Sequence, residues 1–523
     1  MRDASLIMKS TLPNNVTWKQ INWLHVYRYV EKLQQRIYRA ESLGDKRKVR
    51  ELQRLLMHSK SALLVSIKRV TQINKGKKTA GVDGFTVLTD GERIGLYRKM
   101  AEYQISYHIP KASYRTYIKK KNGKLRPLSI PTIKDRIYQN IAKMALEPQW
   151  EVRFEPTSYG FRPKRGCHDA IERIFKSCAQ RKKRWIFEGD FKGCFDNLRH
   201  DYIMEQIKDF PGKSVTERWL KAGYVDNNVF NRTEKGSGQG SVISPLLANI
   251  ALHGMEEQLG IKYKTFVRSD GYQCAYNRTR YAMTRYADDF VIMCKSKEDA
   301  EEIYDKLKPY LEARGLELEP SKTQVVEITE GFDFLSFNIR IYQTSTGEKL
   351  LIKPSNEAVK KSMRQISDKV HELNGHKVGT VIHILNPIII GKANYWSPMV
   401  SKETFSKMDF HIYKVNRRFL ERLHPKKPAK WINNRYYKPD LTGKSKNTWI
   451  LTDPIKNRQL KRMMQTPIIR HTMVKHNASP YDATLGEYFK MRDKKFNDKT
   501  RSQDNLDKKY ARAVCRESDT YSS

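Results

Sequence analysis

Two adjacent carboxylates, Asp288 and Asp289, stand between hydrophobic flanks in YAMTRYADDFVIMC at 281–294. Adjacent acids are ordinarily a solvated turn, but a pair enclosed by apolar strand residues costs several kcal/mol to desolvate unless cations meet it. A third acid, Asp190, follows the apolar stretch WIFEG at 185–189. Three acids delivered at strand ends suit a two-metal centre. Mg2+ ions about 3.5–4 Å apart, bridged by carboxylates and phosphate oxygens, stabilise the attacking and leaving oxygens of an in-line phosphoryl displacement. The chemistry indicated is nucleotidyl transfer by a polymerase.

The rest of the chain suits a polyanionic partner. Among 523 residues, 99 are Lys or Arg and 57 are Asp or Glu, a formal net charge of +42. A field this positive opposes compaction, and a phosphate backbone that sheds its counterions on binding is the simplest offset. An acidic membrane surface is the competitor. No apolar run approaches the roughly 20 residues of a membrane span, and the longest, Val381 to Ile390, is interrupted by His383, Asn386 and Pro387. The N-terminal MRDASLIMKSTLPNN lacks the apolar core of a secretory signal, so an intracellular protein is expected. Six cysteines without a CxxC pair fit neither a zinc finger nor a disulfide framework. Hydrophobic residues at 39%, with 28 Tyr, 19 Phe and 8 Trp, supply real cores, and the length implies about three to four packing units.

The elements that must position the acids can be read from periodicity. Apolar residues from Trp18 to Val70 recur every three or four positions in two series separated by Gly44-Asp45, which predicts two amphipathic helices. The stretch NKGKKTAGVDG at 74–84 is a basic loop that places Lys75, Lys77 and Lys78 for RNA phosphates, or else a solvated connector. YRTYIKKKNGKLRPLSIP at 114–131 reads as a hairpin turning at Asn122-Gly123. SYGFRPKRG at 158–166 has the Gly/Arg composition of a loop approaching a phosphate or base, with Arg162 as the contact. The acids follow on a strand ending at Asp190 and on a buried hairpin turning at Asp288-Asp289. A helix over 298–314 and a strand pair through FDFLSFNIR follow, then basic helices from about 355 to 440.

Tyr286-Ala287-Asp288-Asp289 resembles the YADD box of reverse transcriptases. In the order that family requires stand GDFKGCFDNL at 189–198, GSGQGSVISPLLANI at 236–250, EPSKT at 319–323 and FLSF at 334–337. Together with the N-terminal segment and with LNPIIIGKANYWSPMVSKETF at 385–405, they resemble bacterial and organellar group II intron-encoded proteins, over roughly residues 15 to 470.

That resemblance implies an α+β right-hand polymerase fold with an α-helical thumb. Its expected segments are an N-terminal helical extension over 1–70, fingers and palm over 71–345, a thumb or maturase domain over 346–445 and a basic, DNA-contacting or merely extended C-terminal region over 446–523. It implies Asp190, Asp288 and the carbonyl of Phe191 as ligands of two Mg2+ ions, with Asp289 completing the catalytic acids. Lys120 and Arg126 would hold the triphosphate, Phe195 would screen the sugar 2′-position, Gln239 would pack on the nucleotide and Lys322 would protonate pyrophosphate. The alternatives are solvated hairpin cations for Lys120 and Arg126, a core ring for Phe195 and a surface lysine for Lys322. Arg417, Arg418, Lys426 and Lys427 lie in a helical segment interleaved with Tyr, Phe and Trp, a mix that suits RNA.

Group II intron RNA, target DNA and dNTPs are the implied partners, in a bacterial cytoplasm or nucleoid or in an organelle, with monomer and homodimer both open. The last cysteine, Cys515, leaves no paired cysteines for an HNH nuclease, so a form without that domain is expected. The chain departs from the family at Ser237-Gly238, Ser241, Ile390 and Lys392, which puts loop rigidity and intron contacts in question. Rival expectations are a splicing-only maturase and a defence-associated reverse transcriptase.

Overall fold

The computed structural model describes residues 16–119, 123, 125–179, 183–267, 273–443 and 445–494; Lys120 and Cys515 lie outside them. The chain forms two compact units, one built from Met1–Gly166, Phe187–Val325 and Val474–Phe489, the other from Cys167–Ile186, Val326–Met473 and Lys490–Ser523.

In the first unit the N-terminal periodicity yields three helices rather than two: Trp23–Ser42, Lys46–Met57 and Lys60–Lys68. Asn22 starts the first by accepting from the His25 amide at 3.1 Å. The second series divides because the Ser59 hydroxyl accepts from the Ala62 amide at 3.3 Å and caps a new helix. Val26, Val30, Leu33 and Ile37 bury one stripe of the first helix, and these helices pack against Ile133–Arg153, where Gln53 Nε2 donates to Gln149 Oε1 at 2.8 Å.

Strands β1 (Ser113–Lys119) and β2 (Leu125–Ile130) form the expected antiparallel hairpin, in register from Tyr114 with Ile130 to Lys119 with Leu125. β3 (Trp185–Gly189) ends directly before Asp190, and β4 (Tyr224–Asp226) and β5 (Val229–Asn231) extend the first hairpin into a sheet ordered β2-β1-β4-β5. A separate hairpin joins β6 (Tyr263–Val267) to β7 (Gln273–Asn277). β8 (Ala282–Tyr286), β9 (Asp289–Cys294) and β10 (Gln324–Glu327) complete a sheet ordered β10-β3-β9-β8. Ile186, Phe187, Phe290 and Ile292 are fully or almost fully buried there, which accounts for continuous apolar runs instead of alternation.

The second unit holds β11 (Phe332–Phe334), β12 (Phe337–Thr344) and β13 (Gly347–Pro354). β13 is absent from the sequence expectation, although Gly347, at φ +97°, closes a tight turn between alternating stretches. The helices Asn356–Glu372, Val378–Trp396, Lys402–Leu423 and Ala429–Tyr436 follow, as the basic helical reading predicts. The apolar run at 381–390 is a core helix that continues through Pro387 and buries Val381, Ile382, Leu385 and Ile389. β14 (Tyr437–Lys438) pairs with β15 (Ile450–Leu451). Among the described residues no helix is long and apolar enough to cross a membrane.

Candidate active site

The acids are delivered by a tight hairpin. Tyr286 pairs with Asp289 across β8 and β9, leaving Ala287-Asp288 as the two-residue turn. Ala287 takes φ +61°, a left-handed conformation that costs a residue with a Cβ roughly 1–2 kcal/mol. Two features hold it. Arg285, completely buried, donates from Nη1 to the Ala287 carbonyl at 3.1 Å and to Asn249 Oδ1 at 3.1 Å, with Glu155 at 3.8 Å as its counter-charge. The 157–160 backbone docks alongside β8, where the Arg285 amide donates to the Thr157 carbonyl at 3.0 Å and the Tyr159 amide to the Arg285 carbonyl at 2.9 Å. This approach requires glycine at 160, because a Cβ there would lie 2.2 Å from the Ala287 nitrogen. At Gly189 a Cβ would lie 2.1 Å from the Phe290 ring, so β3 reaches Asp190 only by passing flush against that ring.

Asp190, Asp288 and Asp289 share one electrostatic environment. Burial raises the Asp288 carboxyl above its ordinary value, and the Asp190 charge raises it further. Asp289, an exposed residue at the start of β9, is pushed up to about 6, by partial loss of water first and then by the charges of Asp288 and Asp190. Arg126 and Lys322 act on both in the opposite direction, and Lys322 forms an ion pair with Asp190 whose hydrogen bond raises the lysine. Asp288 and Asp289 therefore carry negative charge at a cost.

Among the described residues no three His, Cys, Asp or Glu side chains converge as a ready-made metal ligand set. A main-chain oxygen next to Asp190 is a further candidate donor. Glu319 N donates to the Asp190 carbonyl at 2.8 Å and Lys192 N to the Glu317 carbonyl at 2.9 Å around the Phe191 to Leu318 bridge. Antiparallel alternation therefore turns the Phe191 carbonyl away from that ladder. Two carboxylates and a carbonyl are hard oxygen donors that fit Mg2+.

Two of the residues expected at the nucleotide, Arg126 and Gln239, are brought together. Arg126 Nε donates to Gln239 Oε1 at 2.7 Å, and the Ser129 amide donates to the Gln239 carbonyl at 2.6 Å. Phe195 is buried with its ring 6.3 Å from Phe161, and its carbonyl accepts from the Ser237 amide at 2.7 Å. Phe195 also lines a cleft of about 770 Å³, together with Arg115, Tyr117, Gln139, Arg232 and Lys235. The departure at Ser241 tightens the loop: its hydroxyl donates to Gln139 Oε1 at 2.8 Å, a bond glycine cannot make.

One expectation is overturned. Arg162 does not face solvent: it forms a buried two-point ion pair with Glu151 at 2.8 and 3.0 Å and donates to the carbonyls of Glu155 and Ser158. Arg165 is likewise spent on the carbonyls of Pro156, His476 and Ala478. The 158–166 loop thus braces the acidic hairpin, because a guanidinium satisfies several inward-facing carbonyls at once. Lys75, Lys78, Arg418, Lys426 and Lys427 are exposed. Lys77 is half-buried and donates to the Gln72 carbonyl at 3.1 Å, while Arg417 pairs with Glu421 and donates to Asn433 Oδ1 at 2.6 Å.

Sequence reasoning missed Arg285, Asn249, Glu155, Gly160 and Gly189. A lone arginine inside an apolar strand was the available signal for Arg285, since only a paired charge survives there.

Three segments of the chain match known protein families. Residues 118–339 match the reverse transcriptase (RNA-dependent DNA polymerase) family, 18–100 the N-terminal domain of reverse transcriptase, and 359–437 the group II intron maturase-specific domain. Protein YkfC of Escherichia coli K12 is 34% identical over 329 residues, 58% of this chain and 86% of that protein. The group II intron-encoded protein LtrA of Lactococcus lactis subsp. cremoris is 30% identical over 396 residues, 65% of this chain and 64% of its own length. Maturase-like protein 1 of Euglena gracilis is 28% identical, over 61% of this chain and 64% of that protein. With a reverse transcriptase fold and the maturase-specific segment following it in one chain, the protein belongs to the group II intron reverse transcriptase/maturase family.

Proposed function

We propose that this protein is an RNA-directed DNA polymerase and intron maturase that binds group II intron RNA, assists its splicing and copies it during retrohoming. The observation that carries the reading is the shared electrostatic environment of Asp288, Asp190, Arg126 and Lys322, with Lys322 paired to Asp190. The assignment of roles follows the segments: helical extension over 1–70, fingers and palm over 71–345, thumb over 346–445 and a DNA-contacting region over 446–523.

Asp190, Asp288 and the Phe191 carbonyl would hold two Mg2+ ions, with Asp289 adding charge beside them. When bound, the ions polarise the reacting phosphate and stabilise the attacking and leaving oxygens. Arg126, kept in place by Gln239, presents its remaining guanidinium N–H groups to the triphosphate of a dNTP, and Lys120 supplies a further positive charge. Phe195 stands against the sugar and disfavours a 2′-hydroxyl. Lys322, kept protonated by Asp190, is the proton donor to departing pyrophosphate. Lys75, Lys77, Lys78, Arg417, Arg418, Lys426 and Lys427 contribute to intron RNA binding, and target DNA is the second nucleic-acid partner.

The test is primer extension on an RNA template with dNTPs and Mg2+, beside an intron-splicing assay, for wild type and Asp288→Asn. Extension lost in the variant while splicing persists is the expected result. A wild type that splices but never extends a primer would leave a splicing-only maturase.

A further inference from the structure

The second unit contains a cavity of about 420 Å³ between the helix Lys402–Leu423 and the β14–β15 hairpin. Aromatic rings form much of its wall. Tyr437 lies 5.6 Å from Tyr413 and 5.8 Å from Trp449, ring centre to ring centre. Phe410 and Trp449 are 59% and 51% exposed, so two large rings stand at its mouth instead of closing into the core. Among the described residues, Oη of Tyr437 and Oδ1 of Asn416 have no hydrogen-bond partner, and both are enclosed in the cavity wall, in residues only 7% and 1% exposed. Buried polar groups are normally satisfied. The Asn416 orientation is set by its Nδ2, which donates to the Ile412 carbonyl at 2.9 Å, and this leaves its oxygen as the unused acceptor.

The surroundings are cationic. Lys414 Nζ lies 4.4 Å from the Phe410 ring centre, Lys461 lines the cavity beside Arg462, which pairs with the lining acid Asp409 at 3.6 Å, and Arg418 and Arg422 continue along the same helix. We propose that this cavity is a binding site for one unpaired nucleotide of RNA, the base entering between the aromatic rings and the flanking phosphates meeting the lysines and arginines. The volume is that of a small-molecule site and excludes a duplex. The inference rests on the proposed reading of this protein as an intron RNA binder, and adds that the thumb captures a nucleotide extruded from the RNA fold.

Fluorescence anisotropy on the full chain tests it, with a short fluorescein-labelled single-stranded RNA and an RNA hairpin of equal length and without unpaired ends as probes. Trp449→Ala and Phe410→Ala, both at exposed positions, are each expected to weaken single-strand binding about tenfold, as loss of one base–aromatic stack does, and to leave hairpin binding within about twofold. Tyr437→Phe removes only the unpartnered hydroxyl. It should leave the melting temperature unchanged or higher and, because the ring stays in place, weaken single-strand binding far less than the alanine variants do. Unchanged single-strand affinity in the variants, or equal losses on both probes, would overturn the site while leaving intron binding standing. A wild type that binds neither RNA would remove the proposed function together with the site.

Discussion

Arg126 and Gln239, 113 residues apart in the chain, are joined by a 2.7 Å hydrogen bond from Nε to Oε1. This bond uses one edge of the guanidinium and orients the other N–H groups, so the glutamine positions the arginine. Arg126→Lys keeps the charge and loses the fork. It is expected to raise the KM for dNTP about tenfold with little change in kcat. Adding Gln239→Ala should cost less than the two single losses summed, with a coupling on the order of 1 kcal/mol. Strict additivity in steady-state primer extension would refute the positioning role.

Gly160→Ala places a Cβ 2.2 Å from the Ala287 nitrogen. Backbone cannot yield there without moving the turn that carries Asp288. Extension is expected to fall by roughly 100-fold, since displacements near 1 Å have that effect on reacting groups, while RNA affinity is preserved. Wild-type extension rates in a folded variant would show that the docking does not position the acids.

Arg285→Leu leaves Glu155 buried without its counter-charge. A loss of stability of about 3 kcal/mol is expected, read by thermal or urea unfolding, and extension should fall even at temperatures where the variant remains folded.

The Asp289 carboxyl, ordinarily near 3.8, is pushed up to about 6 in the fold. Between those values the folded chain holds a proton that the unfolded chain has released. Without Mg2+, stability therefore declines as pH rises through that window and stays lower above it. Asp289→Asn should raise the melting temperature at pH 7.5 by on the order of 1–2 °C, a gain that disappears near pH 4. Added Mg2+ at pH 7.5 should stabilise wild type more than the variant, and its affinity for wild type should weaken below about pH 6. A variant whose melting temperature follows wild type across the whole range would contradict the charge strain.

Arg162→Ala and Arg418→Ala separate support from binding. The first breaks a buried pair with Glu151 and is expected to destabilise the fold by several kcal/mol without altering the salt dependence of RNA binding. The second, at an exposed position, should leave stability unchanged and reduce the salt slope by about one unit. Melting curves and RNA titrations at several salt concentrations distinguish them.

Short-range pattern determined a good deal about this protein. Apolar runs around Asp190 and around Asp288-Asp289 specified strands that end at carboxylates, because a strand of continuous apolar residues is buried on both faces and its polar end must emerge at a turn. The 114–131 hairpin and the thumb helices were legible for the same reason: their periods and turn residues are local. The tertiary structure alone decided what stabilises the site. A loop rich in Gly and Arg is compatible both with a phosphate and with another backbone, and composition does not choose between them. Docking against β8 does, which is how Gly160 comes to abut Ala287 and Arg162 to pair with Glu151. Arg285 lies far in sequence from Glu155, and the pairing of Arg126 with Gln239 depends on strand β2 and a distant loop meeting in space. Such contacts are set by which buried charges and carbonyls find partners once the cores pack, and no local spacing encodes that.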